Sequence, residues 1–176
     1  MRQRFCSRRG FTLAELLVVV AIVGILVSIS IPVFNKQLEK SREAVDIANL
    51  RSAYSAARSI SALGEFTVTD ANGNNPKTFV WEANYPHEKG SSGNANPFFY
   101  DPPTGQIYYT CPAKPCGKGT EADGGTESVF FGKGEYRAAG KDYRDANIVI
   151  YFENSDDGGK ISVYFGYSNA DAVVQH

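Results

Sequence analysis

The sequence predicts an α+β protein: one long amino-terminal helix, apolar in its first half, with an antiparallel β-sheet head packed on its outer half. Three observations predict it. From Leu16 to Phe34 no side chain is ionisable. From Asn35 to Leu63 there is neither Gly nor Pro, and apolar residues recur at spacings of three and four. From Glu65 to His176 short runs of Val, Ile, Phe and Tyr are separated by Gly, Asn and Pro clusters, the composition of strands and turns.

The first element, residues 1–10, is a basic cap holding Arg2, Arg4, Arg8 and Arg9 and no acid. Arg8 and Arg9 abut the apolar run and place the cap on the cytoplasmic side of a membrane. Residues 11–34 follow as a transmembrane helix of ~36 Å, enough for a bilayer core of ~30 Å. Glu15 is the anomaly inside it. An ionisable side chain in a spanning segment costs on the order of a few kcal/mol unless paired, less near a helix end, so Glu15 is expected to find a cation. Pro32 removes the backbone bond to the Ser28 carbonyl and Gly24 weakens the helix locally, so a kink is expected between Gly24 and Pro32. The run leads straight into the next helical pattern, unlike a cleaved secretory signal, and Cys6 precedes the run, unlike a lipoprotein signal.

Residues 35–64 predict an amphipathic helix whose apolar stripe is Ala44, Ile47, Leu50, Tyr54, Ala57 and Ser61, stopped by Gly64. Glu39, Lys40, Arg42, Glu43, Asp46, Arg51 and Arg58 form the opposite face, expected to be mostly solvated. In the head, residues 65–176, the predicted strands are Phe66 to Thr69, Thr78 to Trp81, Gln106 to Thr110, Ser128 to Phe131, Asn147 to Glu153 and Lys160 to Tyr167. The last two form a hairpin around Asn154 to Gly159, its apolar row meeting Ile47, Leu50 and Tyr54.

The chain of 176 residues suits one packed domain, with 43% hydrophobic and 12% aromatic residues. Its net charge of −1 comes from 18 Lys and Arg against 19 Asp and Glu, so loss of the four leader arginines leaves −5. That acidity argues against general nucleic-acid binding. Signatures of nucleophile elbows, zinc proteases and phosphate-binding loops are absent, so no enzyme is expected. The tyrosines of the head are expected to pack in half-buried strands. His87 and His176 do not stand at ligand spacing, so neither a metal nor another cofactor is expected.

Gly10-Phe11-Thr12-Leu13-Ala14-Glu15, the apolar run and Pro32 together resemble the amino terminus of type IV pilins and pseudopilins, over roughly Arg8 to Leu63. The resemblance implies a prepilin whose leader, residues 1–10, is cut after Gly10 by a prepilin peptidase that also methylates the new amino terminus, Phe11. It implies that Glu15 neutralises the Phe11 ammonium of an adjacent subunit. The protein would be a single-pass inner-membrane precursor and then a structural subunit of an extracellular pilus filament. Its partners would be itself, other pilins, an inner-membrane platform and an assembly ATPase. The alternatives are a pseudopilin of a secretion or DNA-uptake machine, or a monomeric membrane-anchored binding module. With Cys6 lost in the leader, Cys111 and Cys116 are an even pair in an outward-facing head and are expected to form a disulfide, free thiols being the alternative. Some pseudopilins bind calcium, and Asp70-Ala71-Asn72-Gly73-Asn74 begins like a calcium loop. The pattern fails at Asn75 and Trp81, where Gly and Glu are required.

Overall fold

The computed structural model describes residues 10–82, 85–91, 97–120, 128–132, 134–137, 141–153 and 160–166. They fall into two compact units, Met1–Gln37 and Leu38–His176. Helix α1, Leu13–Ser61, contributes to both.

In the first unit the apolar part of α1 leaves its side chains exposed, from 76% at Leu13 to 48% at Val27. This helix is long and apolar enough to cross a membrane. Helical backbone continues through Gly24 and Pro32 in this isolated chain. Ser28 Oγ donates to the Ile25 carbonyl at 2.8 Å and Ser30 Oγ to the Leu26 carbonyl at 2.6 Å, so both hydroxyls are satisfied within the helix.

The second unit packs the remainder of α1 with nine strands. In chain order they are β1 (Glu65–Val68), β2 (Lys77–Glu82), β3 (Tyr85–Glu88), β4 (Phe98–Asp101), β5 (Gln106–Tyr108), β6 (Ser128–Phe131), β7 (Gly134–Arg137), β8 (Asn147–Glu153) and β9 (Lys160–Gly166). All pair antiparallel: a sheet of order β1-β2-β3, a sheet of order β5-β4-β8-β9, and the hairpin β6-β7. The predicted α+β class holds, and the β8-β9 register, Ile150 opposite Val163, keeps both apolar rows on one face. The turn Asn154 to Gly159 lies outside the described residues, as do Tyr167 and His176.

Strands β3, β4 and β7 were not predicted. Pro86 masks β3, which lies at a sheet edge where a missing N–H is tolerated. In β4, Phe98, Phe99 and Tyr100 are all buried, so the strand shows no alternation; it lies between β5 and β8 and precedes Pro102-Pro103. The core joins Leu50, Ala53 and Ala57 of α1 to Phe66, Phe79, Phe98, Ile148, Ile150 and Val163. Phe79 meets Phe98 edge-on at 5.1 Å, and Trp81 meets Phe152 edge-on at 5.0 Å.

The buried face of α1 corrects the sequence reading. It comprises Glu39, Glu43, Asp46, Leu50, Ala53 and Ala57, whereas Ala44 and Ser61 are exposed and Ile47 and Tyr54 half-buried. Three acids expected in solvent are inside because backbone amides of a distant loop meet two of them there.

Candidate functional site

Two places concentrate polar chemistry: the amino terminus of α1, and the acidic face that α1 turns toward the head.

At the amino terminus, Thr12 precedes the first helical residue. Its backbone N–H and its hydroxyl both donate to Glu15 Oε2 at 2.8 Å, while the Glu15 amide donates to Thr12 Oγ1 at 3.2 Å. This is a capping box, which satisfies donors that a helix start leaves open. The expected cation is not at Glu15 among the described residues; its hydrogen bonds go to Thr12. Sequence reasoning missed this although the signal, Thr-x-x-Glu before an apolar run, was in view. The carboxylate caps its own helix through Oε2. Phe11 is 88% exposed, and a Cβ added at Gly10 would meet nothing within 4 Å. The bond between Gly10 and Phe11 is sterically open. Residues 1–9, with Arg8 and Arg9, lie outside the described residues.

On the acidic face, Asp46 accepts the Lys118 amide on both oxygens, at 2.8 and 3.0 Å, and the Gly119 amide on Oδ2 at 2.7 Å. Tyr136 Oη donates to the same oxygen at 3.5 Å. Burial holds the Asp46 carboxyl above its ordinary value against the pull of these amides and that hydroxyl. One turn or two away, Glu39 Oε1 accepts the Thr120 amide and Oε2 pairs with Arg42 at 3.2 Å. Burial pushes Glu39 up, but the Thr120 amide and side chain and Arg42 outweigh it and leave the carboxyl below its ordinary value. Burial and the nearby Asp46 and Glu43 charges raise the Tyr136 phenol, so Tyr136 stays a donor.

The loop that supplies these amides begins at the second cysteine. The Cys116 and Gly117 amides donate to the Ala146 carbonyl at 3.1 and 3.2 Å, and the Tyr143 amide donates to the Gly119 carbonyl at 2.9 Å. Cys111 and Cys116 are free thiols in this structure. Asn147 Nδ2 donates to Cys111 Sγ at 3.2 Å, and Cys116 Sγ points to the Ala146 carbonyl at 3.9 Å. Burial raises the Cys111 thiol and pushes Cys116 up to about 11.

Among the described residues no group of three His, Cys, Asp or Glu side chains converges on one point. Asp70, the start of the calcium-like loop, spends its oxygens on the Asn72 and Asn74 amides, at 3.0 and 2.9 Å, and on Asn75 Nδ2, at 2.8 Å.

Residues 6–31, which contain the open Gly10-Phe11 bond and the capped Glu15, match the family model of the prokaryotic N-terminal methylation motif. Over its amino-terminal third the chain is similar to type IV pilins. The chain is 49% identical over 57 residues to the type IV major pilin protein PilA of Myxococcus xanthus (strain DK1622), covering 32% of this chain and 26% of that one. It is 36% identical over 64 residues to the fimbrial protein EcpB of Eikenella corrodens, covering 36% of this chain and 40% of that one. The matches thus span about a quarter and two fifths of these relatives. No solved structure matches the chain.

Proposed function

We propose that this chain is a prepilin that waits in the membrane, is cut between Gly10 and Phe11 by a prepilin peptidase, is methylated at Phe11, and polymerises into an extracellular pilus filament. The observation that carries the reading is the exposed helix Leu13 to Phe34, free of charge except at Glu15, joined to a methylation motif over residues 6–31. So much exposed apolar surface needs lipid before assembly and other helices after it. In the filament Glu15 accepts the Phe11 ammonium of a neighbour, and opposite charges ~4 Å apart attract by ~4 kcal/mol at an effective dielectric of 20. Pilus platform and assembly ATPase are the partners that such polymerisation requires, and the subunit has no enzymatic role. Oxidation of Cys111 and Cys116 to a disulfide after export belongs to the same proposal.

The test is mass spectrometry and imaging of filaments sheared from producing cells. The mature chain should begin at methylated Phe11. Glu15→Val should enter the membrane and fold its head but assemble no filaments. Mature protein that still carries Arg8 and Arg9, or normal filaments from Glu15→Val, would refute the reading.

A further inference from the structure

The stretch Asp70-Ala71-Asn72-Gly73-Asn74 begins like a calcium loop, yet Asp70 turns its polar atoms onto the loop itself. Its backbone carbonyl accepts the Gly73 amide at 2.9 Å, which closes a β-turn over residues 70–73, and its own amide donates to the Asn74 carbonyl at 3.0 Å. Its Oδ1 accepts the Asn72 and Asn74 amides, and its Oδ2 accepts Asn75 Nδ2. The bonds from Asn74, Asn75 and Asn72 hold the Asp70 carboxyl below its ordinary value, so it stays charged at neutral pH and above. The segment after β5 anchors the loop from outside: the Ala71 amide donates to Thr110 Oγ1 at 2.8 Å, and Tyr109 Oη donates to the Asn75 carbonyl at 2.9 Å. Residues 72–75 are exposed, so hydrogen bonds and not burial hold this loop.

What the loop encloses is the single Asn-Gly pair of the chain, Asn72-Gly73. In an open chain such a pair is chemically labile. The deprotonated Gly73 nitrogen attacks Asn72 Cγ, the new C–N bond closes a succinimide ring, and Nδ2 leaves as ammonia with a proton from water. Water then opens the ring at either carbonyl and yields aspartate or its isoaspartyl isomer, so one water enters and one ammonia leaves. Glycine favours the attack because it carries no Cβ and lets the peptide unit turn toward Cγ. Here both steps of the attack are opposed. The Gly73 N–H proton that must be given up is engaged by the Asp70 carbonyl, and the amides on either side, Asn72 and Asn74, are fixed on Asp70 Oδ1. Crowding plays no part, since a Cβ at Gly73 would meet nothing within 4 Å. We propose that Asn72 is a deamidation site held closed by Asp70, modified only from the fraction of molecules in which the turn is open. Asn74 and Asn75 are poorer sites by the same chemistry. Asn74 precedes Asn75, whose Cβ hinders the attack, and Asn75 precedes Pro76, which has no N–H. Modification of Asn72 adds a negative charge to an exposed loop, and the isoaspartyl form lengthens the main chain by a carbon, so the turn cannot re-form its bonds in register.

The experiment incubates the full chain, folded in detergent, at mildly alkaline pH beside a synthetic peptide of residues 59–77, and follows the conversion of Asn72 to acid and isoaspartate by mass spectrometry. Asn72 should convert on the order of tenfold more slowly in the folded chain than in the peptide, and Asp70→Ala should bring the chain close to the peptide rate. Thr110→Val, which removes an outer anchor and leaves the bonds of Asp70 in place, should speed conversion less. Equal rates in wild-type chain and peptide would overturn the proposal, as would an unchanged rate in Asp70→Ala that melts like the wild type. If Asp70→Ala does not fold, hydrogen exchange of the wild type decides: the Gly73 amide should exchange on the order of tenfold more slowly than in the peptide, and exchange at the peptide rate overturns the proposal. Added calcium should change none of these rates; slowing of Asn72 conversion by calcium would assign Asp70 to a cation and overturn the guarding role.

Discussion

Asp46 on the helix and Gly119 in the loop after Cys116, 73 residues apart, are joined by a 2.7 Å hydrogen bond from the Gly119 amide to the Asp46 carboxylate. A Cβ at Gly119 would stand 3.2 Å from the same carboxylate and 3.1 Å from the Tyr136 hydroxyl, so the approach depends on glycine. The loop donates three consecutive amides, Lys118, Gly119 and Thr120, to carboxylates of α1, whereas a strand's N–H groups point alternately to its two sides.

Replacing Asp46 with Asn should destabilise the head by roughly 2 kcal/mol, because an amide accepts fewer of the loop N–H bonds and turns a donor toward them. Asp46→Ala should cost more, since it strands buried amides. Thermal unfolding of the full chain in detergent measures both, and unchanged melting in Asp46→Ala would show that the loop does not need this anchor.

The two carboxyls have opposite pH dependences. Glu39 lies below its ordinary 4.5 in the folded chain, so its contribution is present above that value and lost as pH falls through the lowered one. Asp46 lies above its ordinary 3.8, so its contribution is present below that value and lost as pH rises through the raised one. Melting temperatures taken between about pH 5 and 3 should therefore fall less steeply for Glu39→Gln than for the wild type. Parallel curves would remove Glu39 from the account.

Gly117→Ala should destabilise by roughly 1–3 kcal/mol, because the new Cβ would run into the Tyr143 backbone carbonyl, which the loop bonds hold in place. Gly64→Ala is the control: its Cβ meets nothing within 4 Å, and the change should stay within about 0.5 kcal/mol. Denaturant titration of the two side by side gives the comparison.

In reduced protein, alkylation of Cys116 should be slow at neutral pH and accelerate about tenfold per pH unit until pH approaches about 11, because only the thiolate reacts and burial suppresses it. In filaments isolated without reductant neither cysteine should label at all, as the proposed bond requires. Stoichiometric labelling of both there would show that the pair stays reduced after export.

The order of elements and the amino-terminal chemistry are legible in the chain itself. A charge-free run of membrane length, its Arg-rich cap, Gly10-Phe11 and Glu15 are consecutive, so no folding is needed to bring them together. The helix, the β-rich head and the β8-β9 hairpin were likewise readable, since period and turn residues are local signals. The capping role of Thr12 was local as well and was hidden only by the search for a cation.

Tertiary structure alone decided which face of α1 is buried. A period of 3.6 marks apolar residues, and by that measure Glu39, Glu43 and Asp46 belong in water. They are inside because loop 117–120, far along the sequence, supplies backbone amides to Asp46 and Glu39, and no side-chain pattern records where a backbone N–H points. Strand β4 was hidden for a related reason, since a strand buried between two neighbours loses its alternation. The sequence by itself determined the motif at residues 6–31 and the apolar helical run that continues from it, because both are local patterns. That Lys40, Arg51 and Arg58 stay exposed while Glu39, Glu43 and Asp46 are buried came only from the fold, because the amides that meet Asp46 and Glu39 lie far along the chain.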